Sequence, residues 1–231
     1  MDVKGFSDEK IKEHYRSTYF YDGTRQARHG KAYERYWFTR RIREITRDLR
    51  PFSRGKVLEI GCGTGAITEG VASALPNLDI TATDISPQLI KKCREYYPHS
   101  RVKYEVADAF KLNYRENSFD AVIAVEVIEH VLDHKAMIKE AARVLKPGGI
   151  IIIDTPYKFH PLWKLEWLRR ILGTDKGGDY RKGGKHFEPV HFSFSASDLK
   201  KILPEELVYL RHKQIALGIT LHLVARKSLS Q

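Results

Sequence analysis

The stretch Val57-Leu58-Glu59-Ile60-Gly61-Cys62-Gly63-Thr64-Gly65 decides how this chain folds. Residues 56–60 are short and mostly apolar, which reads as a strand. Three glycines in five positions then stop it, and Ile67, Val71 and Leu75 follow at helical spacing. Glycine is needed where backbone turns sharply or must lie against a ligand without an intervening Cβ. The helix behind the turn aims unpaired N–H groups and a positive dipole end at the same place, which suits a carboxylate or a phosphate. The dinucleotide fingerprint would be G-x-G-x-x-G. Here the spacing is G-x-G-x-G, with the acidic Glu59 two residues before the first glycine.

From Lys56 onward strands and helices alternate, the pattern of a parallel sheet with helices on both faces. Strands are expected at 56–60, 79–83, 102–106, 119–125 and 150–153, with helices at about 66–75, 87–97 and 135–145. Ser86 suits an N-cap and Pro87 the first helical position. Pro147-Gly148-Gly149 reads as the turn into the fifth strand, whose β-branched run implies burial on both faces. Upstream, residues 7–49 read as helical with a break at Tyr21-Asp22-Gly23, and Arg50-Pro51 ends the helix. Residues 157–190 break the rhythm. They hold an amphipathic helical stretch and a glycine-rich basic loop, with eight Lys/Arg against four Asp/Glu, a net of about +4. This insert reads as a lid. A helix at 196–203 capped by Ser195 and an antiparallel strand pair, 207–215 and 219–225, complete the chain. The expectation is one domain: an N-terminal helical cover (1–50), a ligand-binding core (51–156), the lid insert (157–190) and a C-terminal helix and strand pair (191–231).

With 231 residues, 42% hydrophobic and 30% charged, the chain can bury a sizeable core. No apolar run reaches the roughly 18 residues of a membrane span. Residues 1–22 are charged and lack the apolar centre of a signal peptide. Two cysteines, Cys62 and Cys93, are not expected to pair, so a cytoplasmic location is expected. The net charge of +11 suits RNA or an acidic membrane surface, or a merely solvated basic exterior.

In open parallel sheets ligands bind beyond the C-terminal strand ends. Here those ends carry Gly61, Gly63 and Gly65, then Asp84, then Asp108, then Val125-Glu126. Each aspartate alone would pass as a turn residue or helix cap. Together the segments 57–65, 83–86, 107–109, 118–122, 125–131 and 145–149 resemble the class I S-adenosylmethionine (SAM) methyltransferases, over roughly residues 28–226. Glu126-Val127-Ile128-Glu129-His130-Val131 and the insert are most similar to the ubiquinone-biosynthesis O-methyltransferase type. Asp154-Thr155-Pro156-Tyr157 departs from that group's usual sequence.

The resemblance implies a Rossmann-like, doubly wound sheet of seven strands, mostly parallel with an antiparallel last strand. It implies SAM as cofactor, with Glu59, Gly61, Cys62, Gly63 and Gly65 at its methionine part. Asp84 and Ile85 fall at the ribose, Asp108 and Ala109 at the adenine, Val125 and Glu126 at the methionine end, and Arg41 near the cofactor carboxylate. The implied reaction is methyl transfer to a small-molecule acceptor, a phenolic or lipid-like hydroxyl. His130 is the first candidate for general base, with Glu129 to orient it; His186 and His191 are second choices. Glu126, Glu129 and His130 also form E-x-x-E-H, as in small-RNA 2′-O-methyltransferases, where a later histidine would complete a site for Mg²⁺ or Mn²⁺. RNA methylation is therefore the alternative function, and the metal stays an open question.

Overall fold

The computed structural model describes residues 7–17, 22–160 and 192–229. Helices α1 (Asp8–Ser17), α2 (Gly23–His29) and α3 (Ala32–Leu49) precede the sheet. Asp22 makes the expected break, its carboxylate accepting the Arg25 N–H at 2.9 Å to cap α2. Glu34 folds back to accept the Lys31 N–H at 2.6 Å and start α3.

Strands β1 (Lys56–Ile60), β2 (Asp79–Asp84), β3 (Lys103–Val106), β4 (Phe119–Val125) and β5 (Leu145–Pro156) alternate with helices α4 (Ala66–Ala74), α5 (Pro87–Tyr96) and α6 (His134–Val144). After them come helix α7 (Ala196–Ile202), then β6 (Leu207–Ile215) and β7 (Thr220–Lys227). The sheet order is β3-β2-β1-β4-β5-β7-β6. Strands β1 to β5 run parallel, while β7 is antiparallel to both β5 and β6. This is the Rossmann-like architecture expected from the sequence. Because β1 lies between β2 and β4, the connections leaving it and its neighbours diverge at its C-terminal end, which opens a crevice there.

Alternation along the strands divides the core. Leu58, Ile60, Val122, Ala124, Ile151 and Ile153 pack on one face with α6 and α7. Val57, Ala121, Ile123, Ile150, Ile152 and Val224 pack on the other with α3, α4 and α5. Hence β5 is buried on both sides, as its sequence implies.

One local reading needs correction. Pro147-Gly148-Gly149 lies inside β5: Phe119 pairs with Leu145 and Ala121 with Ile150, so the intervening residues bulge out of the ladder. Gly148 there has φ +79, and a Cβ on Gly149 would come within 2.7 Å of the Asp120 carbonyl oxygen. At the C-terminal end the antiparallel pair closes one side of the sheet, with β6 at the edge and β7 inside it. Their turn uses three successive left-handed residues, Ala216, Leu217 and Gly218. Residues 161–190, and with them nearly all of the expected lid, lie outside the described residues.

Candidate active site

A cavity of about 400 Å³ opens at the C-terminal ends of β1, β2, β3 and β4, within the size range of small-ligand sites. It brings together Arg41, Glu59, Gly61, Cys62, Gly63, Asp84, Ile85, Asp108, Ala109, Val125, Glu126 and His130. Gly65 and Glu129, also singled out in the sequence, are not part of its wall.

The three turn glycines have three different causes. Gly61 has φ +70, and a Cβ on it would collide with the Val127 side chain. Gly65, at φ +82, caps α4, and a Cβ would lie 2.8 Å from the Tyr104 hydroxyl. The crowding at Tyr104 gives glycine a packing reason at this position. Gly63, at φ +56, has no atom within 4 Å of where a Cβ would sit, so its α-carbon faces open cavity.

Asp84 is tied to that turn. One carboxylate oxygen accepts the Gly63 N–H and the other the Ser86 N–H, each at 2.9 Å. Burial pushes its pKa up to about 6 against the pull of those N–H groups. Glu59 beneath it accepts the Thr68 hydroxyl at 2.5 Å. Burial, reinforced by the charge of Asp84, pushes its pKa up to about 7. Asp108 accepts the Phe110 N–H at 2.9 Å and pairs through its other oxygen with Lys12 at 3.0 Å.

Arg41 reaches the opposite end from α3. It is 2% exposed, lies 3.6 Å over the Trp37 ring, donates to the Thr220 hydroxyl at 2.9 Å and ion-pairs with Glu126. Its Nε has no hydrogen-bond partner. Glu126 takes a left-handed backbone, φ +56, that strains a residue with a Cβ. Burial raises its pKa, with Arg41 opposing and Asp154 adding to the rise. Below the cavity, His222 bridges Asp154 at 2.6 Å and Asp48 at 2.8 Å, all three buried. Burial alone would lower the His222 pKa, but the two carboxylates outweigh it and raise it to about 9.

His130 ends a short 3₁₀ turn after β4 and lines the cavity. Glu129 precedes it in the same 3₁₀ turn. It is wholly buried, and its carboxylate takes a hydrogen bond from the Thr155 hydroxyl at 3.1 Å. Burial, then the nearby Glu126 charge, raises its pKa well above the ordinary range. Among the described residues no group of three or more His, Cys, Asp or Glu side chains could hold a metal ion. His186 and His191 lie outside the described residues.

Sequence reasoning missed several participants. Ile11, Lys12 and Tyr15 of α1 line the cavity, and Thr220 of β7 anchors Arg41 across 179 positions. Nothing local marks them; only the distant contact does.

Comparison with known proteins gives a consistent answer. Residues 58–153 match the family described as Methyltransferase domain. A ubiquinone biosynthesis O-methyltransferase of Xanthomonas oryzae is 39% identical over 137 residues, 55% of this chain and 56% of that protein. The O-methyltransferase cnsE of Penicillium expansum is 32% identical over 126 residues, 53% of this chain and 45% of that protein. The chain thus spans about half the length of the curated relatives it matches. Among solved structures, a chain from Haloferax volcanii in complex with the Trm112 methyltransferase activator superposes with a TM-score of 0.69. It covers 94% of this chain and 99% of its own length at 17% identity, a likeness of fold. SAM is the cofactor that this domain and fold imply. The cavity fits it: a buried guanidinium nitrogen without a partner suits its carboxylate, and Gly63 leaves open space where any side chain would intrude.

Proposed function

We propose that this chain, whose residues 58–153 are a methyltransferase domain of the class I SAM-dependent fold, methylates a hydroxyl oxygen of a small phenolic or lipid-like acceptor. The observation that carries it is one cavity wall holding Arg41 and Glu126 at one end, Asp84 and Asp108 at the other, and His130 between strand ends. The similarity of half the chain to O-methyltransferases supports the acceptor atom. The four-part division 1–50, 51–156, 157–190 and 191–231 belongs to the same proposal. So does a cytoplasmic location, supported by two cysteines that stay free thiols.

When bound, SAM supplies an electrophilic methyl group on a sulfonium. In this reading Arg41 holds a carboxylate, Asp84 accepts from ribose hydroxyls and Asp108 from an amino group. Glu59, Gly61, Cys62, Gly63, Ile85, Ala109 and Val125 shape the remaining wall. His130 accepts the proton of the acceptor hydroxyl on a ring nitrogen, making the oxygen nucleophilic. The apolar walls exclude water from that oxygen and hold it in line, so alignment and desolvation supply much of the acceleration. Glu129 contributes by supporting the turn beneath His130 through Thr155.

S-adenosylhomocysteine at about 100 times its Kd should stabilise the fold by about 2.7 kcal/mol, raising Tm by roughly 5–10 °C. No shift at saturation would overturn the cofactor assignment. His130→Ala should keep that shift and lose turnover on a panel of catechols and phenols by roughly 10²–10⁴-fold. Full activity would remove His130 from the mechanism.

A further inference from the structure

We propose that α1 couples the Asp108 end of the cavity to His130, with Tyr15 as a positioning residue for that imidazole and Lys12 as the tether that seats the helix. The proposal rests on the reading of His130 as general base.

Ile11, Lys12 and Tyr15 all line the cavity from one face of α1, and Ile11 is buried there. Lys12 reaches Asp108 at 3.0 Å and lies 4.7 Å above the Phe110 ring, and Arg16 stands 3.9 Å from the same carboxylate. One turn further, the Tyr15 ring sits 5.6 Å from the His130 ring, tilted by 58°. A single helical face therefore touches both the Asp108 end of the site and His130.

Rotation of an imidazole about its outer torsion is broad and soft, so neighbours decide which way its nitrogens face. Tyr15 is such a neighbour, and it arrives on an element that is not part of the sheet. Its position depends on α1 staying seated, which the Lys12–Asp108 pair helps to fix. The remaining oxygen of Asp108 is taken by Phe110 N–H, so any donor entering from the cavity meets a carboxylate already engaged by α1. Occupancy at Asp108 then shifts the seating of α1, and through Tyr15 the orientation of His130. In this arrangement the base is set only when the adenosine end is filled.

The test follows the His130 imidazole by NMR in the full chain with labelled histidine, assigned by His130→Gln, with and without S-adenosylhomocysteine. In the unsubstituted protein and in Tyr15→Phe, which keeps the ring, the ligand should move the His130 signal. In Tyr15→Leu and Lys12→Gln the ligand should still bind, weakened by no more than about fivefold, and leave that signal at its free position. Equal movement in all four proteins would overturn the coupling. Absence of binding to the unsubstituted protein would instead overturn the functional reading on which the coupling rests.

Discussion

Gly61 and Gly63 stand two positions apart with similar backbone angles, yet substitution should act on different properties. Alanine at Gly61 adds a collision with Val127 to the left-handed strain. Together these should cost about 2–5 kcal/mol and lower Tm by roughly 5–15 °C. Alanine at Gly63 meets only open cavity, so Tm should fall by less than half as much while S-adenosylhomocysteine binding weakens at least tenfold. Melting curves and calorimetry on both variants check this; equal loss of affinity without unfolding in both would refute it. The carboxyls behave as a pair as well. Glu59 and Asp84 titrate near 7 and 6 in the fold, above their ordinary values, so the free protein binds more protons folded than unfolded. Their stabilising contribution is complete below about pH 4 and is lost as pH rises through 6 and 7. A cationic ligand favours the ionised forms, so the Tm rise caused by SAM should be larger at pH 8 than at pH 5.5.

At the scale of elements, α3 and β7 are joined by two polar rungs. Trp37 and Arg41 both donate to Thr220, at 3.1 and 2.9 Å, and Asp48 meets His222, which also holds Asp154 on β5. Arg211 reaches Asp48 from β6 at 2.6 Å and adds to its lowered pKa, where burial is opposed by His222 first. The lower rung sets the height of α3 on the sheet and so of Arg41 above the cavity. Removing one member leaves buried charge uncompensated. His222→Leu should cost about 3–5 kcal/mol, with part restored by adding Asp154→Asn. The raised His222 pKa gives the sign of the alkaline limb: its contribution is whole below pH 6.5 and is lost as pH rises through about 9. Denaturant unfolding at pH 7 and pH 10 should show this loss in the parent and not in His222→Leu.

For the molecule as a whole, the parallel order matters more than any helix. It gathers four strand ends, drawn from residues 61 to 126, round one crevice. The charge of +11 is a property of the whole chain, and it keeps RNA as the second class of acceptor to be tested. Phosphate contacts release counterions, so genuine RNA binding must weaken steeply with salt. The small-molecule reading predicts no additional thermal shift with total small RNA, at about 50 or 200 mM salt; a salt-sensitive one would favour RNA. Among the described residues no helix is long and apolar enough to cross a membrane.

The sequence by itself determined the alternating core and the place of the cavity. Glycine spacing and strand-end acids are local signals, since backbone sterics and the period of a strand act within a few residues. The strands at 56–60 and 119–125 are found where those signals put them. Local pattern was silent on partners far apart in sequence. That Glu129 turns to Thr155, that Tyr104 leaves no room for a Cβ on Gly65, that Arg41 rests on Thr220 and that α1 meets His130 are outcomes of packing. A buried polar atom takes the partner that the assembled fold brings within hydrogen-bonding distance, and only the tertiary structure decides which one that is.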